Sequence, residues 1–285
     1  MQSAQFQLHA EIEDRHWWFV ARRQILTDVI HAIVPPSPPA TIVDVGCGTG
    51  ANLAGLAEQY ERIGIDTSAD AIRLAKSRFP RVQFIHGLAP RDLGPIMDRA
   101  GLILLSDVLE HVPDDFELFS ELLAAARPGA FFLITVPADL ALWSEHDRAF
   151  GHYRRYDSAR LEQLWQGLPA RPVFISPFNA RLYPIVKAIR GWNRLRHKSS
   201  GEAGTDFQMP GPLVNRTLER CFAGERHKLV RLARGDAVSP YRRGVSLIAL
   251  IRREPGPFKP RRKPSHVASD YFDPAADQST AVLSQ

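Results

Sequence analysis

Cysteine is almost missing from this chain: of 285 residues only Cys47 and Cys221 carry a thiol, so no disulfide framework underlies its stability. No apolar run approaches the about 20 residues that cross a bilayer. The opening segment MQSAQFQLHAEIEDRHWWF has neither the basic start nor the apolar stretch and small-residue cleavage site of a secretory leader. Together these absences predict a reducing, cytoplasmic setting. The sequon at Asn215, Arg216 and Thr217 therefore reads as accidental. There is no internal repeat and no nucleic-acid-binding motif, so nucleic acid is not expected as a partner. The net charge of +5 is concentrated late in the chain, where it reads first as solvated helix faces.

What the chain does contain is 45% hydrophobic and 24% charged residues, enough for one sizeable core with peripheral additions. Residues 1–39 carry apolar and aromatic side chains at helical spacing (Ile12, Trp17, Trp18, Ile25, Val29, Ile33) and end at PPSPP, predicting an N-terminal helical lid. From Thr41 onward short apolar runs alternate with longer amphipathic ones: TIVDV, then residues 51–60; RIGID, then 69–79; VQFIH; LILLSD, then 116–127; and AFFLITV. That alternation predicts βαβ units and a parallel sheet covered on both faces. A helix over 158–166 and a strand PVFISPF follow, and residues 40–179 form the predicted core. Residues 180–243 are a helical insertion or cap, with helices at 181–196 and 213–234. Residues 244–253 return as the last strand, and 254–285 read as a disordered tail.

The strand TIVDV runs directly into Gly46, Cys47, Gly48, Thr49 and Gly50. Glycine is required there because the chain turns tightly and a ligand must approach a helix N-terminus without a Cβ intervening. The same spacing satisfies the looser dinucleotide fingerprint, so a nicotinamide-dependent oxidoreductase is a competing reading. Asp44, on the strand before the loop, weighs against it: a carboxylate repels a pyrophosphate and attracts a ligand bearing ammonium and sulfonium groups. Asp66 ends the next strand, where a carboxylate can accept both ribose hydroxyls. The plainer reading makes Asp44 a cap and Asp66 a turn residue.

VDVGCGTG, IGIDTS and LILLSDVLEHVPDD, in this order and spacing, resemble the successive motifs of class I S-adenosylmethionine (SAM) dependent methyltransferases. The resemblance implies a Rossmann-like α/β fold with a seven-stranded, mostly parallel sheet and helices on both faces. It implies SAM as cofactor, with Asp44, Gly46, Cys47, Gly48 and Gly50 around its methionine part and Asp66 and Thr67 at the ribose. Ser106, Asp107 and Val108 then lie beside the cofactor at the end of the fourth strand. Where many relatives have Gly-Asp after the third strand, this chain has Gly87-Leu88, so Leu88 implies adenine recognition by apolar contact or backbone groups. HWWFVARRQIL, DVLEHV and PADLALWSEHDRAFGHYRRYD are similar to a narrower bacterial subgroup of methyltransferase-domain proteins, often encoded near glycosyltransferase or cell-envelope genes.

A hydroxyl acceptor needs its proton removed, a task suited to histidine. Glu110 and His111 follow strand four; Trp143, His146, Asp147, His152, Tyr153, Arg154 and Arg155 follow strand five. A base histidine oriented by a carboxylate is the recurrent arrangement, so His146 or His152 is the expected base, with His111 a further candidate or merely a packing residue. His146, Asp147 and His152 show no recognisable metal-ligand spacing, and no metal is expected. Arg154 and Arg155 would either grip a substrate anion or pair with Asp157. The expected reaction is O-methylation of a small molecule, glycoside or glycolipid, with N-methylation open and a non-catalytic SAM-binding protein as a further alternative. The helix RLYPIVKAIRGWNRLRHK, apolar on one face and basic on the other, permits transient contact with a membrane surface.

Overall fold

The computed structural model describes residues 3–36, 40–195 and 209–258. Two helices open the chain, α1 (Ser3–Ile12) and α2 (Trp17–Ile33). The single helical segment expected there is broken at residues 13–16, where His16 starts α2 by accepting from the Trp18 N–H at 3.3 Å. Strand β1 (Thr41–Val45) is buried along its whole length, as a strand covered on both faces must be.

The expected alternation is present: α3 (Ala51–Ala54), β2 (Glu61–Asp66), α4 (Ala69–Arg78), β3 (Gln83–His86), β4 (Ala100–Ser106), α5 (Asp115–Ala125) and β5 (Phe131–Pro137). After β5 come two short helices, α6 (Glu145–Ala149) and α7 (Ser158–Glu162), then β6 (Ala170–Phe178). The chain continues through α8 (Tyr183–Leu195), α9 (Pro212–Ala223) and α10 (Arg226–Ala233) to β7 (Ser246–Arg253).

The sheet order is β3-β2-β1-β4-β5-β7-β6. The first five strands are parallel, and β7 runs antiparallel to both β5 and β6. The chain leaves β1 toward β2 on one side and comes back at β4 on the other. The loops after β1 and β4 therefore diverge, opening a crevice at the carboxyl end of the sheet.

Three expected helices differ. The helix expected at 51–60 stops after one turn, because Gly55 ends it and Tyr60 is drawn inward to donate to the Val34 carbonyl. The helix expected at 158–166 ends as α7 at Glu162. The one expected at 213–234 is two helices, broken at Gly224 and Glu225, where the buried Glu225 accepts from the Ala180 and Arg181 N–H groups at 2.8 and 2.9 Å. Helices α9 and α10 lie against α2, and of the three described helices of the insertion α8 is the one that lines the crevice. The expected tail lies, from residue 259, outside the described residues, as does most of the linker between α8 and α9.

Two apolar layers sandwich the sheet. One joins α5 to β4, β5 and β7 through Phe116, Phe119, Phe132 and Trp165; the other joins α2, α4 and α10 through Ile25, Ile30, Ile72, Phe84 and Leu229. Among the described residues no helix is long and apolar enough to cross a membrane.

Candidate functional site

The crevice is a cavity of about 1030 Å³, large enough for a cofactor and an acceptor together. Its wall includes Gly46, Cys47, Gly48 and Thr49 from the loop after β1, Asp66 and Thr67 after β2, and Gly87 and Leu88 after β3. Ser106, Asp107, Glu110 and His111 come from the end of β4, and His146, His152 and Arg155 from the segment after β5.

At the glycine end, Gly46, Gly48 and Gly50 all have positive φ (+69, +53 and +86), backbone that side-chain-bearing residues rarely adopt. A Cβ at Gly46 would stand 2.7 Å from a Val108 methyl, whereas one at Gly48 would meet nothing within 4 Å. Gly48 thus leaves open the space a ligand would occupy. Gly50 is not on the wall; it caps α3, and its Cβ would collide with the Phe84 ring at 2.6 Å.

Asp66 fastens the loop to β2: its Oδ2 accepts from the Gly48 N–H at 2.9 Å and its Oδ1 from the Ser68 N–H at 2.8 Å. Each oxygen keeps a second lone pair for a ribose hydroxyl. Asp44 lies beneath the lining rather than on it, 1% exposed. Neither of its oxygens finds an ordinary hydrogen-bond partner, although Asn52 approaches closely enough to temper its titration. Burial pushes its carboxyl up to about 8, against the pull of Arg22. A buried carboxyl beneath a glycine cradle, protonated near neutral pH when the site is empty and able to ionise when a cation arrives, fits a ligand that brings positive charge, as SAM does.

Leu88 is 50% exposed at the rim, and its N–H donates to Asp92 Oδ2 at 2.7 Å. That carboxylate pairs with Arg91 and is not part of the cavity wall, to which Gly87, Leu88 and Ala89 contribute here. Asp107, in left-handed backbone at φ +56, is held in an ion pair by Arg22 of α2 and also accepts from Thr135 Oγ1 at 3.3 Å. Arg22 itself stacks over the Trp18 ring, 4.3 Å from its centre.

Helix α1, to which the sequence assigns no site residue, supplies a wall. Phe6 and His9 line the cavity together with Glu13 from the turn that follows α1, and the buried Glu13 accepts from Thr49 Oγ1 at 2.7 Å and pairs with Arg78. His9 stacks on Phe150 at 5.6 Å. Trp17, Trp18 and Phe19 also line the cavity, with Phe19 buried in the core as well. Only the helical spacing of the opening segment hinted at this.

At the opposite end the three predicted histidines come together. The His111 and His152 rings are 4.7 Å apart, edge to face, and His146 lies 6.2 Å from His152. Asp147 sits behind them, fully buried: His152 Nδ1 donates to its Oδ1 at 3.0 Å. Arg155 clamps the same carboxylate through Nε at 2.8 Å and a second nitrogen at 3.0 Å, holding its pKa far below the usual range despite burial. Asp147 also closes a capping box with Ser144 at the start of α6.

Burial lowers the pKa of His152, and of His111 and His146 more strongly, so all three are neutral near pH 7. Glu110 is 1% exposed, with Oε2 unpartnered and its carboxyl pushed by burial up to about 8.

The two arginines do neither thing expected of them. Arg154 is buried and donates to the carbonyls of Leu109, Val112 and Pro113 at 2.7–3.0 Å, tying the segment after β5 to that after β4. Arg155 is committed to Asp147 and to the Ala138 carbonyl at 2.9 Å. Asp157 instead caps α7. Free cations for a substrate anion therefore do not come from this pair.

A family model described as a methyltransferase domain matches residues 18–169. The trans-aconitate 2-methyltransferase of Azoarcus sp. (strain BH72) is 34% identical over 111 residues, covering 37% of this chain and 42% of that protein. The Deinococcus radiodurans protein of the same name is 27% identical over 196 residues, covering 61% and 73%. The chain thus spans less than half the length of the first relative and about three quarters of the second. Among solved structures, the plantazolicin methyltransferase BamL in complex with an analog and SAH superposes with a TM-score of 0.52 at 12% identity, over 88% of this chain and 91% of that one. The likeness at that identity is one of fold. The matched segment takes in all five parallel strands and more than half of the chain, which therefore belongs to the methyltransferase-domain family, that of the class I SAM-dependent methyltransferases.

Proposed function

We propose that the protein transfers the SAM methyl to an oxygen of a small-molecule acceptor, a hydroxyl of a free metabolite, glycoside or glycolipid. One observation supports this above the others: the cavity is continuous from the glycine cradle to a buried histidine, His152, whose outer nitrogen is locked by a carboxylate. Bound SAM would supply a methyl on a positively charged sulfur, with Asp44 beneath, Asp66 at the ribose and the Gly46–Gly50 loop around the amino-acid part. Methyl transfer to an acceptor oxygen would leave the bonding pair on sulfur and would require the hydroxyl to give up its proton. The protein's work is to orient the acceptor, exclude water and favour loss of that proton.

Of the candidates, His152 is the best placed, because Asp147 fixes its tautomer and leaves Nε2 toward the cavity. His146 packs on Phe150 at 4.6 Å and serves better as wall. The nicotinamide alternative is disfavoured by Asp44 and by the family. Relatives named for trans-aconitate favour one second reading, a carboxylate acceptor, which needs no base.

Calorimetry with SAM and NAD, then SAM turnover against hydroxyl and carboxylate acceptors, tests the proposal. His152→Ala is expected to lower kcat on a hydroxyl acceptor about 10²–10⁴-fold with SAM affinity unchanged. Undiminished turnover in that variant would point to the carboxylate reading, and NAD binding without SAM binding would sink both.

The acceptor end also bears on where the substrate resides. On α8, Ile185, Ile189 and Trp192 are 55%, 49% and 56% exposed at spacings of four and three, and Leu213 and Val214 at the start of α9 are exposed as well. Val186, Ile189 and Arg190 of the same helix line the cavity. These features support transient contact with a membrane surface during delivery of a lipid-linked acceptor.

A further inference from the structure

We propose that Glu110, His111 and His152 form a binding site for one divalent transition-metal cation at the acceptor end of the cavity. The sequence led to the opposite expectation because its spacing was judged within the segment after β5. The site joins that segment to the one after β4, and only two of its three members were weighed there as bases.

One ligand atom from each of the three residues lies within 4.8 Å of the others. Donors bound at about 2.0–2.2 Å to one ion stand closer than that, so a cation would draw an already assembled clasp inward. All three residues face the cavity, which leaves coordination positions open to an acceptor oxygen. Two imidazoles and a carboxylate with open positions form a donor set for zinc, cobalt, manganese or iron rather than for magnesium or calcium, which take oxygen ligands.

The surroundings are built as the outer shell of a metal site is built. His152 Nδ1 donates to Asp147, leaving Nε2 as the ligating atom, and Asp147 is itself held by Arg155 and Ser144. The His111 ring hydrogen-bonds to the Phe150 backbone. The two segments cannot drift apart: the Tyr153 N–H donates to the Glu110 carbonyl at 2.7 Å, and Arg154 bridges to Leu109 and Val112.

The charge inventory points the same way. Arg22 is taken by Asp107 and Arg155 by Asp147. At this end of the cavity Glu110 has no ion pair of its own among the described residues: it is nearly inaccessible to solvent, its Oε2 lacks a hydrogen-bond partner, and Arg22 and Arg155 attract it only from a distance. A buried carboxylate in that state is costly unless a cation joins it.

The site's existence stands on its own geometry, while its role rests on the methyl-transfer reading. An acceptor hydroxyl coordinated there loses its proton to solvent more readily, and its oxygen then takes the methyl as the carbon–sulfur pair returns to sulfur. With the cation bound, His152 acts as a ligand rather than as the proton acceptor.

The test uses tag-free full-length protein, stripped with chelator and titrated with Co²⁺ alone, read by its visible d–d absorption and by calorimetry. One equivalent is expected to bind with a visible band. Glu110→Gln and His152→Ala should each weaken binding at least about tenfold, and Asp147→Asn about 10–100-fold. His227→Ala, an exposed histidine on α10, should change nothing. SAM affinity measured on the same samples separates loss of the metal site from loss of the fold, and absence of SAM binding by the wild type would refute the methyl-transfer reading instead. No stoichiometric Co²⁺ binding by the wild type, or binding undiminished in both Glu110→Gln and His152→Ala with SAM affinity intact, overturns the proposal.

Discussion

Asp44 illustrates how a single side chain can be a cost to the empty protein and an asset to the loaded one. Its carboxyl titrates normally near 4 when unfolded and is pushed up to about 8 by burial in the fold. The native state therefore holds the proton more tightly than the unfolded state does. Asp44 penalises folding progressively as pH rises from about 4 to about 8, and the penalty is complete above that. Asp44→Asn should accordingly raise the melting temperature of the ligand-free protein more at pH 8 than at pH 5, by about 2–4 °C per kcal/mol regained. The same substitution should weaken SAM binding, because the charge complementing the ligand's positive end is gone. A variant that is neither stabilised at pH 8 nor weakened toward SAM would show that Arg22 already neutralises this carboxylate.

Asp115 is the opposite case. Fully buried, it accepts two bonds from Arg160 at 2.7 and 2.9 Å and one from the Tyr156 hydroxyl at 2.7 Å. Both of its carboxylate oxygens accept hydrogen bonds, and its place is structural. Asp115→Ala strands a buried guanidinium and should cost about 3–5 kcal/mol, measured by denaturant unfolding, with residual SAM binding in whatever fraction remains folded.

Among the elements, the glycine loop separates two roles that look alike in the sequence. Gly46 and Gly48 both sit at positive φ, but only at Gly46 does a Cβ strike the fold, at Val108. Gly48→Ala should cost about 1–2 kcal/mol for left-handed backbone and should weaken SAM binding more than that, because the new methyl enters ligand space. Gly46→Ala should lower stability and SAM affinity together. Thermal melts with and without SAM distinguish the two, and equal ligand-induced stabilisation in Gly48→Ala and wild type would contradict the assignment.

Helix α8 makes a related point. Its amphipathic pattern was legible, and its position over the cavity follows from β6 ending at Phe178 beside the crevice. Trp192, exposed and on the apolar stripe, should shift its fluorescence to the blue on anionic vesicles and not on neutral ones if α8 meets a membrane. An Ile185→Ser, Ile189→Ser pair should abolish the shift, and an unchanged spectrum in the wild type would dismiss membrane contact.

For the molecule as a whole, the cavity is closed by parts far apart in the chain. His9 from α1 meets Phe150 after β5, and Glu13, just past the end of α1, meets Thr49 after β1 and Arg78 from α4. The N-terminal helices should therefore be protected from proteolysis by SAM, and Phe6→Ala with His9→Ala should raise the SAM dissociation constant without lowering stability to the same degree.

The alternation of short apolar runs with amphipathic ones was enough to determine the parallel α/β sheet, because burial on both faces permits little else. The glycine loop with Asp44 and Asp66 was enough to indicate the cofactor, because local backbone demands and charge are written in neighbouring residues. The length of α3 escaped sequence reasoning, since the tertiary pull on Tyr60 outweighs helix pattern, and after α7 the chain continues in local turns instead of further helix. The contents of the acceptor end escaped it more completely. Which carboxylate is satisfied and which is left bare depends on the partners that folding delivers: Arg22 reaches Asp107 across 85 residues, and Arg155 turns inward to Asp147. Glu110 is consequently left unpaired beside His111 and His152. That pairing is decided through space, in a buried setting where one missing counter-charge matters more than any local pattern.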